Sequence, residues 1–146
     1  MNDFISSVFF LFVFATIMSG FVSLEIFFCG LLIPFLLLLL KNKKYSLLAL
    51  QSSFVAAFSF FVLVIILYLL NIFTSIKLDP DMALISYYEY KMLAILMLIS
   101  FISSSIFSRL ISLNFFKGFL CWLLNFSVQF YLFKYFFILT ANAANP

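Results

Sequence analysis

Long uncharged stretches alternate with short clusters of charge along this chain. No charged residue interrupts Phe4–Leu24, Ile26–Leu40, Tyr45–Ile76, Met92–Ser108 or Gly118–Phe133, and the charges between them come singly or in tight groups such as Lys41-Asn42-Lys43-Lys44. The apolar runs are continuous and show none of the strict alternation of a half-buried strand. A helix rises 1.5 Å per residue, so about 20 residues cross a hydrocarbon core of about 30 Å. The pattern therefore predicts an all-α, polytopic membrane protein with about five transmembrane helices in a single bundle, over residues 4–20, 23–40, 47–70, 84–108 and 113–139.

The first two of these rest on a break placed near Gly20–Ser23. One helix over Phe4–Leu40 would measure about 55 Å, more than a tilted crossing needs, and Gly20 tolerates turn conformations that other residues avoid. Pro34 is expected to kink the second helix. Asn71 and Lys77-Leu78-Asp79-Pro80-Asp81 read as a polar loop. Tyr87-Tyr88-Glu89-Tyr90-Lys91 reads as an interfacial aromatic belt at the start of the fourth helix. Lys41, Lys43, Lys44, Arg109 and Lys117 fall on one side, which the positive-inside rule assigns to the cytoplasm or matrix. The acids Asp79, Asp81 and Glu89 fall on the other, mixed with Lys77, Lys91 and Lys134, with Glu25 near the first turn, and the basic side carries no acid except Asp3. Five crossings put the chain ends on opposite faces. Treating residues 4–40 as one unit gives four crossings and keeps both basic loops together, so the side taken by the N-terminus separates the two counts.

Composition agrees with the pattern: of 146 residues, 67% are hydrophobic and 9% charged, and the mean hydropathy is +1.29. A soluble domain runs about 45–50% apolar and about 25% charged, so soluble enzymes, nucleic-acid modules and disordered tails are excluded. There is no His, which removes the commonest metal ligand and general base. Cys29 and Cys121 lie inside apolar stretches and read as small hydrophobes. Asp3 precedes any Lys or Arg, so the basic start of a cleaved signal is missing and the first helix is expected to be retained. The 24 Phe residues point to an AT-rich, organellar style of coding.

Little remains that could carry chemistry. Glu25 is the candidate proton-handling residue: solvated at a helix mouth if the break near Gly20–Ser23 holds, deep if it does not. Asn125, Ser127 and Gln129 sit midway along the fifth helix; Asn125 and Gln129 are four apart and share a helical face, where interhelical polar contacts are expected, and Ser52 and Ser53 on the third helix could make such contacts likewise, while Ser103-Ser104-Ser105 and Ser108 sit late in the fourth. That face reads either as a packing seam or as a hydrated path for protons or a small solute. Glu89 and Lys91 read as an interfacial pair. No catalytic constellation, nucleotide loop or metal spacing is present, so no catalytic residue, cofactor or metal is expected.

In order along the chain, Leu24-Glu25-Ile26-Phe27-Phe28, the apolar Leu36–Leu40, the basic Lys41–Tyr45, the apolar Phe54–Leu70 and the polar Lys77–Met92 form a series that resembles the start of NADH dehydrogenase subunit 2. That family is an antiporter-like membrane-arm subunit of respiratory complex I. The resemblance spans residues 24–108. It implies a structural, non-catalytic part of a split proton-pumping subunit in the mitochondrial inner membrane, with other membrane subunits and lipid as partners and neither nucleic acid nor soluble substrate. The family's proton-transfer glutamate and lysines have no counterparts, because no acid lies between Lys117 and Lys134. Ser23-Leu24-Glu25-Ile26 also looks like the glutamate helix of complex I subunit 4L, whose second membrane glutamate is absent. The other expectations are an accessory membrane subunit of ATP synthase or cytochrome oxidase, or a small transporter of a bacterial inner membrane.

Overall fold

The computed structural model describes residues 2–74 and 82–144, and every element in it is helical. These are α1 (Asn2–Cys29), α2 (Leu32–Leu39), α3 (Lys43–Thr74), α4 (Met82–Leu110) and α5 (Phe115–Ala144). Four helical stretches are long and apolar enough to cross a membrane: Asn2–Leu39, Lys43–Ile66, Lys91–Leu110 and Phe115–Leu139.

Two of the expected boundaries are corrected. No break occurs near Gly20–Ser23, and α1 runs straight through Gly20 and Glu25 to Cys29. The interruption falls instead at Gly30–Leu31, one turn before Pro34. The proline decides it. Its nitrogen carries no hydrogen and its ring crowds the carbonyl of residue 30, so the regular ladder fails there. Backbone bonds shorten to the tighter pattern at the same place, with Leu31 donating to the Phe28 carbonyl at 3.1 Å. The eight residues of α2 extend only about 12 Å, too short for a crossing of their own, so the five-crossing count gives way to four apolar stretches. Asn71 is also helical rather than part of a loop, because α3 continues to Thr74. The Lys77–Asp81 segment lies outside the described residues, as do the side chains of the tyrosine cluster.

The turns after α2 and α4 share one design. Lys41 and Ser112 adopt positive φ (61° and 55°). Asn42 donates to the Leu37 carbonyl and Leu113 to the Ser108 carbonyl, each at 2.9 Å, the paired closure of a helix C-terminus usually built on glycine. Asn114 then starts α5 by accepting from the Phe116 amide at 3.0 Å. Both turns lie at the same end of the bundle and gather Lys41, Lys43, Lys44, Arg109 and Lys117 there.

α3 packs against each of the other four helices. The interior is small. Ala56, Leu96, Trp122 and Phe126 form its apolar centre, flanked by Phe60, Phe101, Phe119 and Phe130. The rings of Phe101 and Trp122 lie 5.1 Å apart and those of Phe126 and Phe130 4.6 Å apart, tilted as aromatic quadrupoles prefer. Outside, long apolar side chains cover the surface: Phe4, Phe10, Phe28, Phe116 and Tyr131 are each more than 60% exposed. Replacing Leu96 with Ala removes packing from the only tryptophan, and is expected to lower stability by about 2–4 kcal/mol. Trp122 fluorescence during denaturation in detergent reads this out directly.

Candidate functional site

The most concentrated polar chemistry lies midway along the apolar stretches, sealed between α1, α3 and α5. It begins with the carbonyl of Gly30. In an unbroken helix the amide four residues on would serve it, but that residue is Pro34. The hydroxyl of Ser53 on α3 donates to it instead, at 2.7 Å. Ser46, two turns earlier on α3, donates to the Pro34 carbonyl at 2.7 Å. Further along α1, Ser23 donates to the Ala57 carbonyl at 2.7 Å. Three serines thus fasten α3 to the α1–α2 unit by side-chain bonds between helix backbones.

α5 adds two amides. Asn125 Nδ2 donates to the Ala49 carbonyl at 3.1 Å and reaches Ser52 Oγ and Ser53 Oγ at 3.3 and 2.9 Å. Gln129 Nε2 donates to the carbonyls of Ile26 (2.9 Å) and Ser53 (3.3 Å). A backbone carbonyl can only accept, so these contacts fix which end of each amide is nitrogen. Ser52, Ser53, Asn125 and Gln129 are all fully buried. The two amide oxygens, Asn125 Oδ1 and Gln129 Oε1, are buried and accept no hydrogen bond from the protein. Each such orphan costs about 1–3 kcal/mol unless a water or another donor reaches it.

Gly30 is the residue that lets this arrangement close. A Cβ there would lie 2.5 Å from Ser53 Oγ, 2.7 Å from Ser53 Cβ and 2.7 Å from Gln129 Nε2. Its φ is not positive, so the requirement is for space rather than for conformation. The glycine four residues before a proline was the available sequence signal, and Gly20 drew attention in its place.

A second polar layer joins α3, α4 and α5. Gln51 Nε2 donates to Ser103 Oγ, and Ser104 Oγ donates to Gln51 Oε1 at 3.4 Å. Trp122 Nε1 donates to Ser100 Oγ at 3.0 Å. Gln51 adjoins Ser52-Ser53, and Ser100 stands in i, i+4, i+8 register with Ser104 and Ser108, so both are open to a helical-face reading that stops at their neighbours. Ser105 accepts through its carbonyl from Ser108 within α4 at 2.9 Å.

Glu25 is not part of the seam. It is exposed on the outer side of α1, beside a groove bounded by Phe28, Cys29, Leu32, Leu132, Phe133 and Phe136. Cys29 and Cys121 are free thiols, and Cys121 Sγ lies 3.7 Å from the Tyr45 carbonyl. Among the described residues no three His, Cys, Asp or Glu side chains come together as metal ligands. Arranged this way, the residues can bind helices to one another and can hold a water on the two orphan oxygens; they present no nucleophile activated by a base.

Comparison with protein-family models, with characterised proteins and with solved structures gives no match to this chain.

The three glycines order themselves by space. Gly30→Ala should cost about 2–3 kcal/mol through overpacking against Ser53 and Gln129. Gly118→Ala, whose Cβ would stand 3.4 Å from Ser108 Cβ, should cost less. Gly20→Ala, with Phe61 3.9 Å away, should be neutral or gain up to about 1 kcal/mol of helix propensity. Thermal denaturation of the three variants in one detergent checks the order.

Proposed function

We propose that this chain is a membrane-embedded, non-catalytic subunit of a larger helical assembly, and specifically a structural piece of the membrane arm of respiratory complex I in the mitochondrial inner membrane. One observation carries the structural role: the polar side chains of the interior are spent on fastening helix to helix, while the outside is a nearly unbroken apolar surface rich in exposed Phe and Leu. A bilayer solvates such an exterior, and it also offers large contact area to neighbouring helices. The resemblance of residues 24–108 to NADH dehydrogenase subunit 2 supports the choice of complex. The absence of any counterpart to that family's proton-transfer residues supports a bracing part rather than a pumping one.

In this reading the four apolar stretches cross the bilayer, and the basic turns at 41–44 and 109–117 face the matrix. Both described ends of the bundle then emerge on the opposite face. Single cysteines at Asn2 and Lys43, in a chain freed of Cys29 and Cys121, should label from opposite sides of sealed vesicles. Labelling of both from one side would sink the four-crossing topology.

The role itself is tested by removal. Loss of the chain should abolish assembly of the membrane arm and take quinone reductase activity with it, visible as loss of the intact complex on a native gel. Purification of the chain in mild detergent should bring membrane-arm subunits with it; recovery as a solitary species would overturn the proposal.

A further inference from the structure

Glu25 is placed where a carboxylate needs a partner that no described residue of this chain provides. Its depth follows from the seam. Gln129 bonds to the carbonyls of both Ile26 and Ser53, so residues 25–26 lie level with Ser53, near the middle of Lys43–Ile66 and of Phe115–Leu139. α1 is unbroken through this point, so Glu25 has no helix mouth in which to be solvated. It is exposed on the outside of the bundle, and no ion pair or hydrogen bond to it occurs among the described residues. Beside it lies a groove of about 560 Å³ between α1–α2 and α5, walled by Phe28, Leu32, Leu132, Phe133 and Phe136.

We propose that this groove receives a transmembrane helix of another subunit, and that this helix carries a Lys or Arg at mid-depth which pairs with Glu25. The inference rests on the reading of the chain as a subunit of a larger membrane assembly. Charge complementarity selects the occupant. A lone acid in the spanning region is expensive and is met by a charged or hydrogen-bonding partner. Lipid acyl chains fill an apolar groove but bring nothing to a carboxylate at that depth. A second copy of this chain is a poor match as well. Lys41, Lys43, Lys44, Arg109 and Lys117 gather at one end of the bundle. Lys134 lies five residues beyond Gln129, about 7 Å further along α5, and borders a different groove with Phe60, Met92 and Leu93. Its long side chain extends naturally towards the headgroups, away from the level of Glu25. Lys91 opens the Lys91–Leu110 stretch, at the end of α4 away from Arg109. No described cation of this chain therefore lies at the level of Glu25, and the matching one comes from another chain.

The test uses the full-length chain in phosphatidylcholine vesicles with three synthetic helices of about 20 leucines: one unmodified, one with a central Lys and one with a central Glu. Energy transfer between labelled chain and labelled peptide measures association. The Lys peptide should bind at least tenfold more tightly than the all-Leu peptide. In the Glu25→Gln variant that preference should vanish, and in Glu25→Lys it should pass to the Glu peptide. The reversal guards against a folding artefact, because a misfolded variant gains no new specificity. Equal binding of Lys and all-Leu peptides to the wild-type chain would overturn the proposal. So would a preference that survives Glu25→Gln, or Glu25-dependent association of the chain with itself. Respiratory subunits are absent from these vesicles, so a failure here leaves the co-purification result standing, and a failure there leaves this one.

Discussion

A single missing hydrogen organises the interior. Pro34 cannot donate to the Gly30 carbonyl, and a buried carbonyl without a donor is costly. The remedy is tertiary: Ser53 supplies the bond from α3, and that hydroxyl can reach only because Gly30 has no side chain. Once Ser53 is committed there, the adjoining space is polar. Asn125 and Gln129 enter it from α5, bonding to Ser53 itself and to nearby backbone carbonyls. The kink, the glycine, the serine and the two amides form one interlocked arrangement.

The same constraint explains the proportions of the fold. Because the ladder fails at Gly30–Leu31 rather than near Gly20, α1 keeps its full length and α2 is left as a short continuation. α3 meets both of them: Ser46 bonds to α2, Ser53 bonds to the Gly30 carbonyl at the break, and the Ala57 carbonyl accepts from Ser23 of α1. Apolar packing has the other half of the bundle, where Trp122 and a line of phenylalanines join α4 to α5 beneath Leu96. Aromatic rings are concentrated on this side, where Gln51 and Trp122 also bond to serines of α4, while the α1–α2 side is held mainly by the serine and amide bonds.

How much of this was legible follows the physics of each signal. Uncharged runs mark helices long and apolar enough to cross a membrane because charge is expensive in an apolar medium, and the ends near Lys41–Lys44 and Arg109 are readable for that reason. The i, i+4 spacing placed Asn125 and Gln129 on one face because helix geometry is local. Their partners are not local: Ala49, Ser53 and Ile26 become neighbours only through packing. The misplaced break came from weighing a glycine's freedom above a proline's prohibition. Gly20 tolerates a turn but does not demand one, whereas Pro34 removes a bond outright. The surroundings of Glu25 depend on where that break falls, so its outward position at mid-length follows only from the structure.

The sequence order of the seam bears on how the chain is made. Synthesis proceeds from the N-terminus, so α1, α2 and α3 emerge before α5 exists. The bonds from Ser23, Ser46 and Ser53 join segments within this first half, and they can form as soon as α3 follows α2 into place. Asn125 and Gln129 arrive last. Until then the Ile26 carbonyl lacks its Gln129 contact and the side chain of Ser53 faces an open cleft where α5 will lie. The order of the bonds along the chain thus allows the first three helices to be clipped together before the final helix closes the polar notch halfway along them.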